Sequence, residues 1–261
     1  MITPIYENEW VKLYQGDCLN VMDEFIQNNT SFDIVITSPP YNMNLRTSSG
    51  KYISRWGWKG NVEAFSTKYE NYKDDLSMEE YFEFQKEFIE KCLEISKLTF
   101  YNIQMITGNK VALFKLLGNF AEQVKETIIW DKGYGVPAMK YGTLNSQFEF
   151  IFVFSNDKPY NRMFDEANFE RGTETNVWSI KRERNSEHKA AFPENLVKRI
   201  LIDFTKYGNT VFDPFAGSGT TGVVCMENNR KCVLIEKEEK YCEITIKRLQ
   251  DKEKEIAERL F

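Results

Sequence analysis

The chain of 261 residues reads as a single α/β domain, residues 1–261, with a mainly parallel sheet covered by helices. Three observations predict this. Short runs rich in β-branched and aromatic residues alternate with stretches of helical periodicity. The run "DIVITS" (Asp33–Ser38) is apolar almost throughout, as a strand buried on both faces requires. A glycine turn, "DPFAGSGTTG" (Asp213–Gly222), joins a strand directly to a helix.

In chain order, "VKLYQGD" (Val11–Asp17) is a strand and "CLNVMDEFI" a short helix. After "DIVITS", Ser77 caps a long helix, with Glu80 completing a capping box. Along that helix Tyr81, Phe84, Phe88, Cys92 and Ile95 recur at spacings of three and four. "TFYNIQMI", "ETIIWDK" and "FEFIFVFS" are strands, the last two separated by the glycine-bearing loop Gly133–Ser146. "PENLVKRILIDFTKYG" is a helix with Pro193 near its start and Gly208 past its end. Strand "TVFD", the glycine turn, helix "TTGVVCMENN", strand "KCVLIE" and a helix from about Lys240 complete the chain.

Composition narrows the function classes. Apolar residues make up 42% of the chain, enough for a large core, so disorder is not expected. The five cysteines (Cys18, Cys92, Cys225, Cys232, Cys242) include no CxxC pair, so neither a disulfide framework nor a zinc site is expected. No apolar run reaches the roughly 18 residues of a membrane span, and "MITPIYENEW" does not read as a signal peptide. A cytoplasmic protein without a membrane partner is expected. A net charge of −5 argues against coating nucleic acid with the whole surface, but not against a local basic face.

In the glycine turn, Gly217, Gly219 and Gly222 satisfy G-x-G-x-x-G between a strand and a helix. Glu236 follows 19 residues after Gly217, at the end of the next strand, where a ribose hydroxyl would be held. A phosphate-binding P-loop is excluded, because Thr220 and Thr221 follow Gly219 with no lysine. The turn comes near the end of the chain, so most of the sheet must come from earlier segments. Taken alone, it could also be a tight strand-to-helix connection with no ligand.

"DPFAGSGTTG" with the downstream "IE" resembles the cofactor motif of S-adenosylmethionine-dependent DNA methyltransferases, and "TSPPY" (Thr37–Tyr41) resembles the catalytic motif of the amino-methylating members. Their order, catalytic motif first, is that of the circularly permuted beta subclass. The resemblance implies a Rossmann-like methyltransferase domain with a seven-stranded, mainly parallel sheet. It implies S-adenosylmethionine as cofactor, with Asp213, Phe215, Gly217, Ser218, Gly219, Thr220 and Glu236 around it. "GDCLNVM" is similar to the segment whose acid, here Asp17, contacts the adenine. "SEHKAAFPENLVKRI" is similar to the segment enclosing the methionine moiety, which falls on Phe192. Lys189 follows His188 where the family often has proline. "EFIFVFS" resembles a strand motif near the target base.

The family's substrate is a base flipped out of double-stranded DNA. Its amino nitrogen is a poor nucleophile and must be held by hydrogen bonds. Ser38 would supply a hydroxyl, Pro39 and Pro40 a rigid backbone with the Pro39 carbonyl aimed at the base, and Tyr41 a stacking ring. No metal is needed. In the family, serine before Pro-Pro-Tyr goes with cytosine N4, and aspartate or asparagine with adenine N6. Ser38 therefore favours cytosine, with adenine as the alternative. An RNA or protein-amide N-methyltransferase, or a non-catalytic DNA-binding module, are further readings. Carbon-5 methylation is disfavoured, since no cysteine follows a proline.

Residues 42–73 carry six Lys/Arg against Glu63 and Glu70, a charge of +4, interleaved with six aromatics. They suit a DNA-contacting loop, or a solvated loop with some buried rings. Residues 155–185, which end in the basic "KRERN", are expected to be a short target-recognition region. His188, the sole histidine, reads as structural. Double-stranded DNA, a cognate restriction endonuclease and a second copy of the chain are the candidate partners, in a bacterial, archaeal or phage-infected cell.

Overall fold

The alternation along the central strands sets the architecture. Leu13, Ile34, Ile36, Val211 and Leu234 pack into one hydrophobic layer, while Tyr14, Val35, Phe212 and Ile235 pack into another. Strands apolar on both faces are stable only between two layers of helices. A computed structural model of the chain, describing residues 2–43, 47–48, 51–52, 76–136, 141–158, 160–181 and 192–259, has this sandwich.

The first half holds β1 (Tyr6–Glu7), β2 (Val11–Gln15), α1 (Cys18–Gln27), β3 (Phe32–Thr37), the two-residue strands β4 (Thr47–Ser48) and β5 (Lys51–Tyr52), α2 (Met78–Ile95), β6 (Ser96–Ile103) and α3 (Lys110–Asn119). The second half holds β7 (Val124–Val136), β8 (Ser146–Phe154), β9 (Val177–Ser179), α4 (Glu194–Phe204), β10 (Thr210–Asp213), α5 (Thr220–Glu227), β11 (Lys231–Glu236) and α6 (Glu239–Arg259). Helices α1 to α3 cover one face of the sheet, through Val21, Met22, Phe88, Ile89 and Leu113, and α4 to α6 the other, through Leu196, Val224 and Leu249.

The sheet order is β1-β2-β11-β10-β3-β6-β8-β7-β9. Its inner seven strands match the expected sheet, and the short edge strands β1 and β9 bring the count to nine. Strands β2, β11, β10, β3 and β6 run parallel, and β8 is antiparallel to β6 and β7. The C-terminal unit β10-α5-β11 thus fits between two N-terminal strands, with Leu234 beside Leu13 and Val211 beside Ile34.

Helix α2 begins as its sequence specifies. The Ser77 hydroxyl accepts the Glu80 N–H, and the Glu80 carboxylate accepts the Ser77 N–H at 2.9 Å. Helix α3 was not anticipated, nor were β1, β9 and the β4–β5 pair. Most of residues 42–73, and residues 182–191 with His188, lie outside the described residues.

Candidate active site

Strand β3 ends at Thr37, and its neighbour β10 ends at Asp213. The Thr37 hydroxyl donates to Asp213 Oδ1 at 3.1 Å, the Phe215 N–H donates to the same oxygen at 3.1 Å, and the Thr221 hydroxyl donates to Oδ2 at 2.6 Å. One carboxylate therefore joins the Ser-Pro-Pro-Tyr turn to the glycine turn. Burial pushes this carboxyl up to about 6, against the pull of its three donors. Asp213 faces inward and is 5% exposed, so what it does for a bound cofactor passes through the shape of the turn.

Beyond Thr37 the chain is held from both sides. The Pro40 carbonyl accepts from the Tyr81 hydroxyl at 2.8 Å and from Gln85 Nε2 at 3.4 Å, both on α2. Asn42 takes a left-handed conformation (φ 58°), and its side-chain amide donates to the carbonyls of Leu76 and Gly108 at 3.0 Å each. Asn109 Nδ2 donates to the Tyr41 carbonyl at 3.0 Å. A side chain at Gly108 would run into the Asn42 carbonyl oxygen, so this position needs glycine.

Between these supports lies a polar cluster. Tyr41 Oη donates to Glu149 Oε2 at 2.9 Å and lies 2.9 Å from Ser38 Oγ. Asn102 Nδ2 donates to Tyr41 Oη at 2.8 Å and to Glu149 Oε2 at 2.9 Å. Lys132 Nζ pairs with Glu149 Oε1 at 3.2 Å, with side chains only 1% and 3% exposed. Asn102 is the penultimate residue of β6, Glu149 lies on β8 and Lys132 on β7, so three strands meet at one carboxylate.

None of Asn102, Lys132 and Glu149 was singled out from the sequence. In β8 Phe148 is exposed and the neighbouring Glu149 is buried, an inversion of the usual pattern that exists only once β7 and β8 pair.

The other half of the site lies at the same carboxyl edge. Glu236 ends β11. Its Oε2 accepts the Gly217 N–H at 2.8 Å, and its Oε1 accepts the N–H groups of Lys237 and Glu238 at 2.9 Å each. Burial raises this carboxyl to about 7 despite those donors. Asp17 caps α1 through the Leu19 N–H, and its Oδ2 pairs with Lys237 Nζ at 3.1 Å. The Gly16 N–H donates to the Glu236 carbonyl at 3.0 Å, which holds the ends of β2 and β11 together. Asp17, Gly217 and Glu236 are thus brought together.

A Cβ on Gly217 (φ 55°) would meet nothing within 4 Å, so the turn is open on that side. Two carboxylates beside an open glycine backbone fit the hydroxyl and amino donors of an adenosine group. By contrast, a Cβ on Gly219 (φ 75°) would lie 2.5 Å from Thr245 of α6, so that glycine serves packing.

Arg248 of α6 was also missed. Its Nη1 donates to the Ser218 carbonyl at 2.7 Å, to Ser218 Oγ at 3.0 Å and to Thr220 Oγ1 at 3.2 Å, while Nη2 pairs with Glu194 at 2.9 Å. Ser218 and Thr220 are buried and serve this clamp. Phe215 packs edge-on against Phe88 of α2, with ring centres 5.1 Å apart, and Phe192 is half-buried against the core.

The expected recognition region divides. Phe164 and Phe169 pack on Phe204, and Asp165 to Ala167 line a cavity with Asp33 and Lys97, at the amino ends of β3 and β6. That is the edge opposite Ser38. Strand β9 then runs parallel to β7, with Ser179 beside Asp131, back toward the catalytic edge.

Comparison with known proteins agrees with this arrangement. The DNA methylase family model N6_N4_Mtase matches residues 32–247. The Type II methyltransferase M2.DpnII of Streptococcus pneumoniae is 27% identical over 96% of this chain and 93% of its own length. M.BglII of Bacillus subtilis is 26% identical over 89% of this chain and 67% of its own length. The chain spans 46% of M.Cfr9I of Citrobacter freundii. Among solved structures, the cytosine-N4-specific PvuII DNA methyltransferase superposes with a TM-score of 0.69 at 18% identity, over 95% of this chain and 89% of that one. The complex of M1.HpyAVI with S-adenosylmethionine does so with a TM-score of 0.60 at 19% identity, over 92% of this chain and 100% of that one. These two likenesses concern the fold. With both motifs on one sheet edge and a family match across most of its length, the chain belongs to the N6/N4 DNA methylase family, the S-adenosylmethionine-dependent amino-methyltransferases.

Proposed function

We propose that this chain methylates the exocyclic N4 of cytosine in double-stranded DNA, on a base flipped into the space before Ser38–Tyr41. The observation that carries the reading is the shared carboxylate of Asp213, which fixes the Ser38 turn beside the glycine turn. When bound, S-adenosylmethionine supplies a methyl group on a positively charged sulfur, already a strong electrophile. Asp17, Gly217 and Glu236 would hold it. The chain's task is then positioning of the amine.

Ser38 Oγ would accept one amino proton. A carbonyl of the proline pair would accept the other, and because Pro40's is committed to α2, that role falls to Pro39. The Tyr41 ring would stack on the base, which contributes about 1–3 kcal/mol. Cytosine is favoured by Ser38, and by the cytosine-N4 specificity of the PvuII enzyme whose fold is shared. Residues 42–73 would grip DNA phosphates, and recognition would fall on the carboxyl-edge part of 155–185, from Val177 onward. A cognate restriction endonuclease and a homodimer are the partners this reading adds.

The test is to incubate the protein with plasmid DNA and labelled S-adenosylmethionine, digest to nucleosides and identify the product by mass. N4-methylcytosine is expected. Label only in N6-methyladenine would replace cytosine by adenine, and no label in DNA of varied sequence would overturn the DNA reading.

A further inference from the structure

The cluster behind Ser38 has a fixed proton polarity. An ionised Glu149 only accepts, so the 2.9 Å contact from Tyr41 uses the tyrosine's one proton. Tyr41 Oη must then accept in its 2.9 Å contact with Ser38, and Ser38 is the donor there. One lone pair of Ser38 Oγ accepts from Asn102 Nδ2 at 3.4 Å, and the other is left to face a substrate N–H. Asn102 keeps the same sense, because its amide nitrogen donates to Tyr41 Oη and to Glu149, and the flipped amide would set an oxygen against the carboxylate. Lys132, with its side chain 1% exposed, gives Glu149 a buried counter-charge. A carboxylate this deep is costly unless paired, and pairing keeps it ionised and able to take a proton.

We infer that Glu149 is a positioning residue and the terminal proton acceptor of the reaction, acting through Tyr41 and Ser38. This rests on the amino-methyltransferase reading and extends it. As the amino nitrogen gives its electron pair to the incoming carbon, it must shed one proton. That proton passes to Ser38 Oγ, the serine's own proton passes to Tyr41 Oη, and the tyrosine's passes to Glu149 Oε2. Serine and tyrosine end neutral, and Glu149 ends as a carboxylic acid beside Lys132. The methylated base leaves uncharged. The scheme also gives Tyr41 a role that phenylalanine could not fill, although phenylalanine would stack equally well.

The variants are Y41F, E149Q and the double variant. Y41F keeps the ring and leaves the Glu149–Lys132 pair intact, so it decides the matter even if E149Q does not fold. Thermal unfolding, calorimetric binding of S-adenosylmethionine and 2-aminopurine fluorescence of a flipped target position report on everything but the relay, and should stay close to wild type in Y41F. The single-turnover rate of methyl transfer should fall by roughly 100-fold or more in each single variant, within the usual range for a lost acid–base function. The double variant should be no slower than the slower single. Wild type should show a solvent deuterium isotope effect that both variants lose, and its infrared difference spectrum on turnover should contain a carboxylic-acid band absent from E149Q. A near-wild-type rate in Y41F, or losses that multiply in the double variant, would overturn the relay. If wild-type protein itself methylates no amino group in DNA, the activity reading fails instead, and the two failures are distinguishable.

Discussion

Thr37 and Asp213 are 176 residues apart in sequence, and the threonine hydroxyl donates to the aspartate at 3.1 Å at the carboxyl ends of adjacent strands. This bond joins the chain's two halves of chemistry. In T37V the carboxylate loses one of three donors inside the core. Removing a donor from a buried carboxylate costs about 1–3 kcal/mol. We expect unfolding to show that loss, and turnover to fall more than affinity for S-adenosylmethionine, because the glycine turn keeps its tie through Thr221. Equal losses in turnover and affinity would argue against the bond as the link between the two motifs.

The two buried carboxyls of the site make stability and cofactor affinity depend on pH in opposite directions. Glu236 is raised to about 7 and Asp213 to about 6, against ordinary values of 4.5 and 3.8. A carboxyl raised in the folded state contributes stability that is complete below its unfolded value and lost as pH rises through its folded value. For Glu236 that window runs from about 4.5 to 7, and the full effect is at most about 3 kcal/mol. The stability of wild type relative to E236Q should therefore decline between pH 5 and 8. Affinity for S-adenosylmethionine should improve over the same range, because the ionised carboxylate accepts ribose hydroxyl protons best. Calorimetric titrations at pH 6 and 8 check this, and tighter binding at pH 6 would remove Glu236 from the ribose.

Gly108 supports the catalytic turn from outside the motif. Because a methyl group there would meet the Asn42 carbonyl oxygen, G108A must displace the turn or its own loop. Such overpacking costs about 1–3 kcal/mol. We expect the single-turnover rate to fall at least tenfold, since displacements of about 1 Å carry penalties of that size or larger. Binding of S-adenosylmethionine should be nearly unchanged. An unaltered rate would mean that Asn42 does not set the position of Ser38.

Local chemistry made much of this protein legible in its sequence. The Ser77–Glu80 box, the "TVFD" and "KCVLIE" strands and the glycine turn depend on neighbours a few residues away, and each formed where its residues specify. The central topology followed once both motifs had to share one sheet edge. Contacts between distant elements were not legible. Lys132 and Glu149 look like ordinary surface charges until antiparallel pairing of β7 and β8 buries them together, and Arg248 looks like one more cation on a charged helix until α6 docks on the glycine turn. Strand β9 has only three residues and pairs by burying Trp178, which local propensity does not reveal. Asp213 sat within a recognised motif, yet its inward orientation depends on Thr37 and Thr221.

Arg248 offers the last test, because it separates the shape of the cofactor turn from its ligand contacts. Its guanidinium spans from Ser218 and Thr220 to Glu194 at the start of α4, so it fixes the glycine turn against the segment that carries Phe192. In R248M the apolar stem keeps its packing, while the Ser218 carbonyl and two hydroxyls lose a donor. We expect affinity for S-adenosylmethionine to weaken by about tenfold, which corresponds to about 1.4 kcal/mol. The rate at saturating cofactor should stay within a few-fold of wild type, because the Ser38–Tyr41 turn is held by α2, Asn109 and Asp213 and not by α6. R248K, with a charge but no planar fork, should recover only part of the affinity. A fall in saturated rate with affinity intact would show that the clamp acts on the catalytic turn, and would place α6 in the same mechanical unit as β3.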